Sequence, residues 1–165
     1  MSASLVGSEM CIRDRIKAGF GFDCSLKIVN SALLLKSEEE SFATLDIVCL
    51  DLFTGKAQIF KAGAPATFVR KKGKGAKTEK PSLPAGILRE VEFAKTEVVL
   101  GEGDIILMVS DGAVNGGDEW IISELELWHE GTASELAEHI ASQAKMRRPD
   151  IRPDDVTVTA AIIGK

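Results

Sequence analysis

Ile105-Ile106-Leu107-Met108-Val109-Ser110-Asp111-Gly112 is an unbroken apolar run that ends on an acid and a glycine. Apolar residues without alternation, bounded by turn signals, read as a buried strand. Gly101-Glu102-Gly103-Asp104 is the tight turn that feeds it. A second stretch carries the same elements in reverse order. Arg152-Pro153-Asp154-Asp155 runs straight into Val156-Thr157-Val158-Thr159-Ala160-Ala161-Ile162-Ile163. An acid at the tip of a buried strand is held rigidly at the sheet edge. Two such acids brought together offer the oxygen ligands that hard divalent cations prefer. Metal-activated water chemistry is then open to the protein. Each motif alone also reads as a plain turn, since Asp-Gly is a common turn pair and Asp154 or Asp155 could cap one. Periodicity does not show that the two strands are neighbours.

Outward from these strands, the pattern predicts a helix over 25–40, with Leu26, Val29, Asn30, Leu33 and Leu34 on one face. Residues 44–52 alternate and read as a strand, Thr54-Gly55 as a turn, and 56–62 as the returning strand of a hairpin. Residues 66–70 resume extended structure, and 71–80 form a polar loop or the tip of a further hairpin. Two prolines and Gly86 keep 81–88 irregular. Residues 91–100 form another strand. Helices follow over 117–127, carrying Trp120, Ile121 and Leu125, and over 134–146, with Leu136, Ala137, Ile140 and Ala144 as its stripe. Thr132 and Glu135 have the spacing of a capping box. A loop over 147–153 delivers the last strand. Helix, antiparallel hairpins, helices and strand make an α+β fold with sheets packed against helices.

The length of 165 residues fits one domain with a sizeable core. A net charge of −5 without a basic stripe excludes a nucleic-acid surface. Arg70-Lys71-Lys72-Gly73-Lys74 reads as a solvated hairpin tip, with a phosphate- or partner-contacting loop as its functional alternative. No apolar stretch reaches the ~18–20 residues that span a bilayer. Cys11, Cys24 and Cys49 show neither metal-ligand nor redox spacing, which points to a reducing cytoplasm, with Cys49 as a buried thiol. GxGxxG, the P-loop, HExxH and GxSxG are all missing. His129 near a loop and His139 on the polar side of the last helix lack a sequence-adjacent partner and read as non-catalytic. Asp46 and Asp51 read as solvent-facing on the hairpin, with Asp46 able to support a site from a neighbouring strand.

Leu5 to Arg15 has neither helical nor strand periodicity. It resembles one reading frame of a transposon-derived adapter used in preparing sequencing libraries. Residues 1–15 are therefore expected to be an adapter-derived or disordered leader, and 16–165 the folded domain.

Several stretches occur in order across 16–165. They are Ile28-Val29-Asn30-Ser31-Ala32-Leu33-Leu34-Leu35, Phe42-Ala43-Thr44-Leu45-Asp46, Asp51-Leu52-Phe53-Thr54-Gly55, Lys61-Ala62-Gly63-Ala64-Pro65, Ser82-Leu83-Pro84-Ala85-Gly86-Ile87-Leu88, Val109-Ser110-Asp111-Gly112 and Asp154-Asp155-Val156-Thr157-Val158. Together they resemble the stage II sporulation protein E phosphatase domain, of the PPM (type 2C) metal-dependent protein serine/threonine phosphatases. The resemblance implies part of an α-β-β-α sandwich with two Mn²⁺ or Mg²⁺ ions and hydrolysis of phosphoserine or phosphothreonine by a metal-activated water. It makes Asp111 and Asp154 metal ligands, with Asp155 and Gly112 beside them, Asp46 in support, and Gly63 and Gly86 as backbone positions shaping the approach. The implied substrate is a phosphorylated regulatory protein resembling an anti-anti-sigma factor, met in the cytoplasm by a parent protein that family members often anchor in a membrane. The family's early Gly-Asp and Asp-Gly-Met-Gly acids have no counterpart here, and Asp23 in Gly21-Phe22-Asp23 matches neither. The expectation is a fragment short of N-terminal strands and metal ligands, inactive alone, and prone to self-association through an exposed sheet edge. The alternative is a non-catalytic pseudophosphatase that binds a partner protein.

Overall fold

The computed structural model describes residues 14, 21–35, 42–90, 92–115, 117–147 and 154–164. The expected leader, the polar exit of the first helix at 36–40 and the loop at 148–153 lie outside the described residues, apart from Asp14. The elements run α1 (Phe22–Leu35), β1 (Leu45–Leu50), β2 (Lys56–Ala62), β3 (Thr67–Lys71), β4 (Lys74–Thr78), β5 (Ala94–Val99), β6 (Ile105–Val109), α2 (Asp111–Val114), α3 (Glu119–Leu127), α4 (Ala133–Arg147) and β7 (Val158–Ile162). One sheet has the order β1-β2-β5 and the other β4-β3-β6-β7. The chain divides into two compact units. The first takes residues up to Ile47 with Phe60–Ala64 and Pro81–Lys95, and the second takes the rest.

In the first unit, the stripe predicted for α1 is the one that is buried. Leu26, Val29 and Leu33 pack with Ala43, Phe60, Ala62 and Ala85. Phe22 stacks on Phe60 at 5.3 Å between ring centroids. Asn30 sits in the same stripe and ties down the proline-containing segment. Its Nδ2 donates to the Leu88 carbonyl at 2.9 Å, and its Oδ1 accepts from the Gly86 N–H at 2.7 Å. Ala43 and Ala85 exchange two backbone bonds. An irregular segment cannot satisfy its own backbone, so a buried amide side chain does it instead.

In the second unit, the four-stranded sheet is covered on both faces, which explains why β6 has no polar alternation. Phe68, Ile105, Leu107 and Val109 face Ile121, Leu125, Leu136, Ile140 and Ala144 of α3 and α4. Their sequence neighbours Val69 and Ile106 face the other way, onto Ala57, Ile59 and Leu100. Antiparallel registers fix the order: Thr67 opposes Met108, Arg70 opposes Ile105, and β6 pairs Val109 with Val158 and Ile105 with Ile162. The capping box forms as the spacing predicts. The Glu135 N–H donates to Thr132 Oγ1, and Glu135 Oε2 accepts the Thr132 N–H at 2.7 Å.

One expectation is sharpened and three change. Residues 71–80 take the hairpin alternative and extend it into a full strand, because β4 pairs with β3 over its whole length around a Lys72-Gly73 turn with positive φ at both residues. Arg70 is not part of the solvated tip. Its guanidinium donates to the carbonyls of Leu125 and Trp128 at the C-terminal end of α3 and to that of Gly103 in the turn before β6, so it ties the helix end to that turn. Cys49 is only half-buried. His139 stays on the partly exposed side of α4, yet its Nε2 lies 2.7 Å from Glu124 Oε2 on α3. That partner is visible only once the helices pack, because no spacing within one helix reveals it.

Candidate functional site

The two acid motifs meet in the second unit. Antiparallel pairing of β6 with β7 places the end of one strand beside the start of the other, so Asp111 and Asp154-Asp155 arrive at the same sheet end. Ser110 closes the junction. Its N–H donates to the Thr157 carbonyl at 2.9 Å, its Oγ donates to the Asp155 carbonyl at 3.0 Å, and the same Oγ accepts the Thr157 N–H at 2.9 Å. One hydroxyl thus satisfies both a donor and an acceptor on the incoming strand.

Gly112 determines how closely the segments approach. A Cβ built on it would lie 2.3 Å from the Asp155 carbonyl oxygen and 3.0 Å from its carbon. No side chain fits there, so the glycine after Asp111 is required by contact and not by a turn alone. Each acid is also fixed locally. Asp111 Oδ1 accepts from the Gly112 N–H at 3.0 Å, and Asp154 Oδ1 accepts from the Asp155 N–H at 2.9 Å. Asp111, Asp154 and Asp155 are all exposed, as ligands open to solvent would be.

The donor chemistry, two fixed carboxylates at one sheet end, fits a hard divalent cation such as Mn²⁺ or Mg²⁺. The donor count does not complete a site. Among the described residues no group of three or more His, Cys, Asp or Glu side chains converges to hold a metal.

Asp46, Gly63 and Gly86 belong to the first unit. The expectation that Asp46 faces solvent is wrong. Its side chain is 14% exposed and forms an ion pair with Lys61, itself 4% exposed, at 2.7 Å. A buried ammonium requires a counter-charge, and Asp46 supplies it. Gly63 has φ +66 and abuts Pro84, whose Cγ would be 2.5 Å from an added Cβ, while its N–H donates to Ser82 Oγ. Gly86 has φ +94 and is held by Asn30. Both glycines therefore shape the 81–88 segment, and the signal for this was the pair of prolines within it, Pro81 and Pro84. Asp51 is exposed as expected. Its carboxyl is held below the ordinary carboxylate range by the N–H groups of Phe53 and Thr54 and by the Thr54 hydroxyl. Sequence reasoning missed Ser110 as a bridge. It sits next to Asp111, but its bonds cross to a segment 45 residues away.

A family model described as Stage II sporulation protein E matches residues 3–163. The stage II sporulation protein E of Priestia megaterium is 26% identical over 158 residues, covering 91% of this chain and 27% of that protein. The chain therefore spans about a quarter of the length of that relative. A solved structure of the PP2C phosphatase domain and a fragment of the regulatory domain of SpoIIE from Bacillus subtilis superposes with a TM-score of 0.84 at 23% identity, covering 97% of this chain and 49% of that one. The manganese-presoaked SpoIIE phosphatase domain of the same organism gives 0.66 at 23% identity, covering 100% and 74%. The mixed helix-and-sheet fold with two antiparallel sheets is that of these PP2C-type domains.

Proposed function

Because the chain belongs to the stage II sporulation protein E family, we propose that it is the part of a metal-dependent protein serine/threonine phosphatase that bears Asp111 and Asp154. The substrate is a phosphorylated regulatory protein of the anti-anti-sigma factor kind, met in the cytoplasm. The observation that carries the reading is the junction of Ser110 and Gly112 with Asp154 and Asp155. It holds two acid-bearing segments together at a distance only glycine permits.

In this reading Asp111 and Asp154 hold Mn²⁺ or Mg²⁺, with Asp155 as a neighbouring acid. Ser110 and Gly112 set the spacing. When bound, the metal supplies Lewis acidity and an activated water at neutral pH. The sequence lacks the GxSxG signature of a serine nucleophile, in keeping with attack by water in this reading. Asp46 is committed to Lys61, so its role is to hold the hairpin and the ammonium in place. Two carboxylates fall short of a two-ion site, and the family's earlier acidic motifs are not in this sequence. The chain alone is therefore inactive.

The test is Mn²⁺-dependent hydrolysis of p-nitrophenyl phosphate and of a phosphoserine peptide. It compares this chain with the product of the full reading frame that encodes it, and with Asp111→Asn and Asp154→Asn in that product. Activity in the longer product, lost in each variant, supports the proposal. A rate in the chain alone refutes the claim that further acids are needed. Silence throughout, with tight binding of a phosphoprotein, assigns the domain to the pseudophosphatase reading, which the incomplete donor set among the described residues also favours.

A further inference from the structure

The opposite end of the second unit carries an unusual surface. The turn between β1 and β2 exposes Leu52 at 85% and Phe53 at 102%, the latter as open as a free residue. It is nevertheless a rigid turn. Asp51 Oδ1 accepts the N–H groups of Phe53 at 2.9 Å and Thr54 at 3.1 Å, the Gly55 N–H donates to the Asp51 carbonyl, and the Asp51 N–H donates to the Lys56 carbonyl.

That turn is tied to the basic one. The Leu100 N–H donates to the Gly55 carbonyl at 2.8 Å. The next residue, Gly101, donates its N–H to Asp104 Oδ2, and Lys72 donates its N–H to Asp104 Oδ1, both at 2.8 Å. Asp104 is 5% exposed and works as an internal strut. The apolar tip, the Gly101–Asp104 turn and the Lys72-Gly73 tip thus form one hydrogen-bonded series. Lys71 and Lys74 stand directly opposite each other across the β3–β4 pair. Facing like charges are unfavourable there. Lys71, Lys72 and Lys74 are exposed and have no acidic partner among the described residues. The acids of this end are accounted for as follows. Asp51 and Asp104 accept backbone N–H groups, Glu126 of α3 accepts the Gly75 N–H at 2.8 Å beside Lys74, and Glu97 pairs with Lys56 at 2.9 Å.

We propose that this end docks on an anionic lipid surface, with Leu52 and Phe53 entering the headgroup layer and Lys71, Lys72 and Lys74 facing lipid phosphates. The choice of a lipid surface rests on shape and charge. A fully protruding aromatic on a rigid turn is best served by a medium that yields around it. Lysines on a tip that accept any register suit headgroups, which present no fixed pattern. The rest of the chain is acidic and would be repelled by such a surface, so docking is confined to this end. From Ile105 to Asp111, β6 and its exit advance by six residues, ~20 Å at the usual strand rise. The acid pair would then face away from the bilayer, towards dissolved proteins. The proposal does not depend on the phosphatase reading.

The test is sedimentation of the purified chain with vesicles of phosphatidylcholine alone or mixed with phosphatidylglycerol, at low and physiological salt. Binding is expected only with phosphatidylglycerol. It should weaken by roughly a hundredfold with the triple variant Lys71→Gln, Lys72→Asn, Lys74→Gln, and similarly with Leu52→Ser plus Phe53→Ser. Circular dichroism on each variant confirms folding, which exposed tips tolerate. No binding, or binding that neither variant changes, overturns the proposal. Retention of an acidic protein that both variants abolish, without vesicle binding, overturns it in favour of a protein partner.

Discussion

Replacing Gly112 with Ala sets two effects of opposite sign against each other. Gly112 lies in α2 with no left-handed backbone to protect, so propensity alone favours Ala by about 1 kcal/mol. Contact opposes it. The added methyl carbon would meet the Asp155 carbonyl oxygen at 2.3 Å, roughly 1 Å inside ordinary van der Waals separation. The obstacle is backbone, itself held by Ser110 Oγ, and cannot rotate away. Overpacking costs typically ~1–3 kcal/mol, and a fixed neighbour places this case at the upper end. The net expectation is a loss of ~1–2 kcal/mol. For a domain of this size that is a fall in melting temperature of about 2–8 °C. Urea unfolding of the wild type, Gly112→Ala and Ser110→Ala would measure it. Ser110→Ala leaves the exposed Asp155 carbonyl and Thr157 N–H to water and should cost ~0.5–1.5 kcal/mol. Because both act on one junction, the double variant should lose less than the sum of the two. A neutral or stabilising Gly112→Ala would refute the close approach of the two acid-bearing segments.

Two further outcomes follow from other parts of the molecule. Lys61→Met or Asp46→Asn alone should destabilise by ~3–5 kcal/mol, since each leaves a buried charge without its counterpart, while Lys61→Met combined with Asp46→Leu should recover much of the loss in a thermal-melt double-mutant cycle. Glu135 has its carboxyl lowered by the Thr132 N–H and then by the Thr132 hydroxyl, so its stabilising effect is present above its ordinary value of 4.5 and fades as pH falls below it; the stability gap between wild type and Glu135→Gln, read from urea midpoints, should be open at pH 7 and shrink on acidification.

The readable parts of this fold are those whose residues report on one partner surface. The α1 stripe, the strand 56–62 and the Thr132–Glu135 cap follow from spacing alone, and all three form where spacing places them. β4 was obscured because Lys-Gly-Ala-Lys-Thr has too little apolar content to show alternation, and its pairing with β3 is what makes it a strand. The Asp46–Lys61 pair was within reach. Asp51 pairs with Lys56 across the turn, and counting back five residues on each arm sets Asp46 opposite Lys61. At the candidate site, Asp111 and Asp154 stood out because each borders an apolar run, although β7 itself begins only at Val158. Their adjacency did not, because it depends on which strands become neighbours, and local pattern carries no information on that.

The β6–β7 junction also has a consequence in time. Asp111 and its neighbours leave the ribosome well before Asp154, which follows 43 residues later. At about 5–20 residues per second that interval lasts roughly 2–9 s. Throughout it β6 has β3 on one side and nothing on the other, and Ser110 has no strand to bridge. The acid pair therefore forms only after β7 has been made. A nascent chain that folds in order has Asp111 in place long before Asp154 can come beside it.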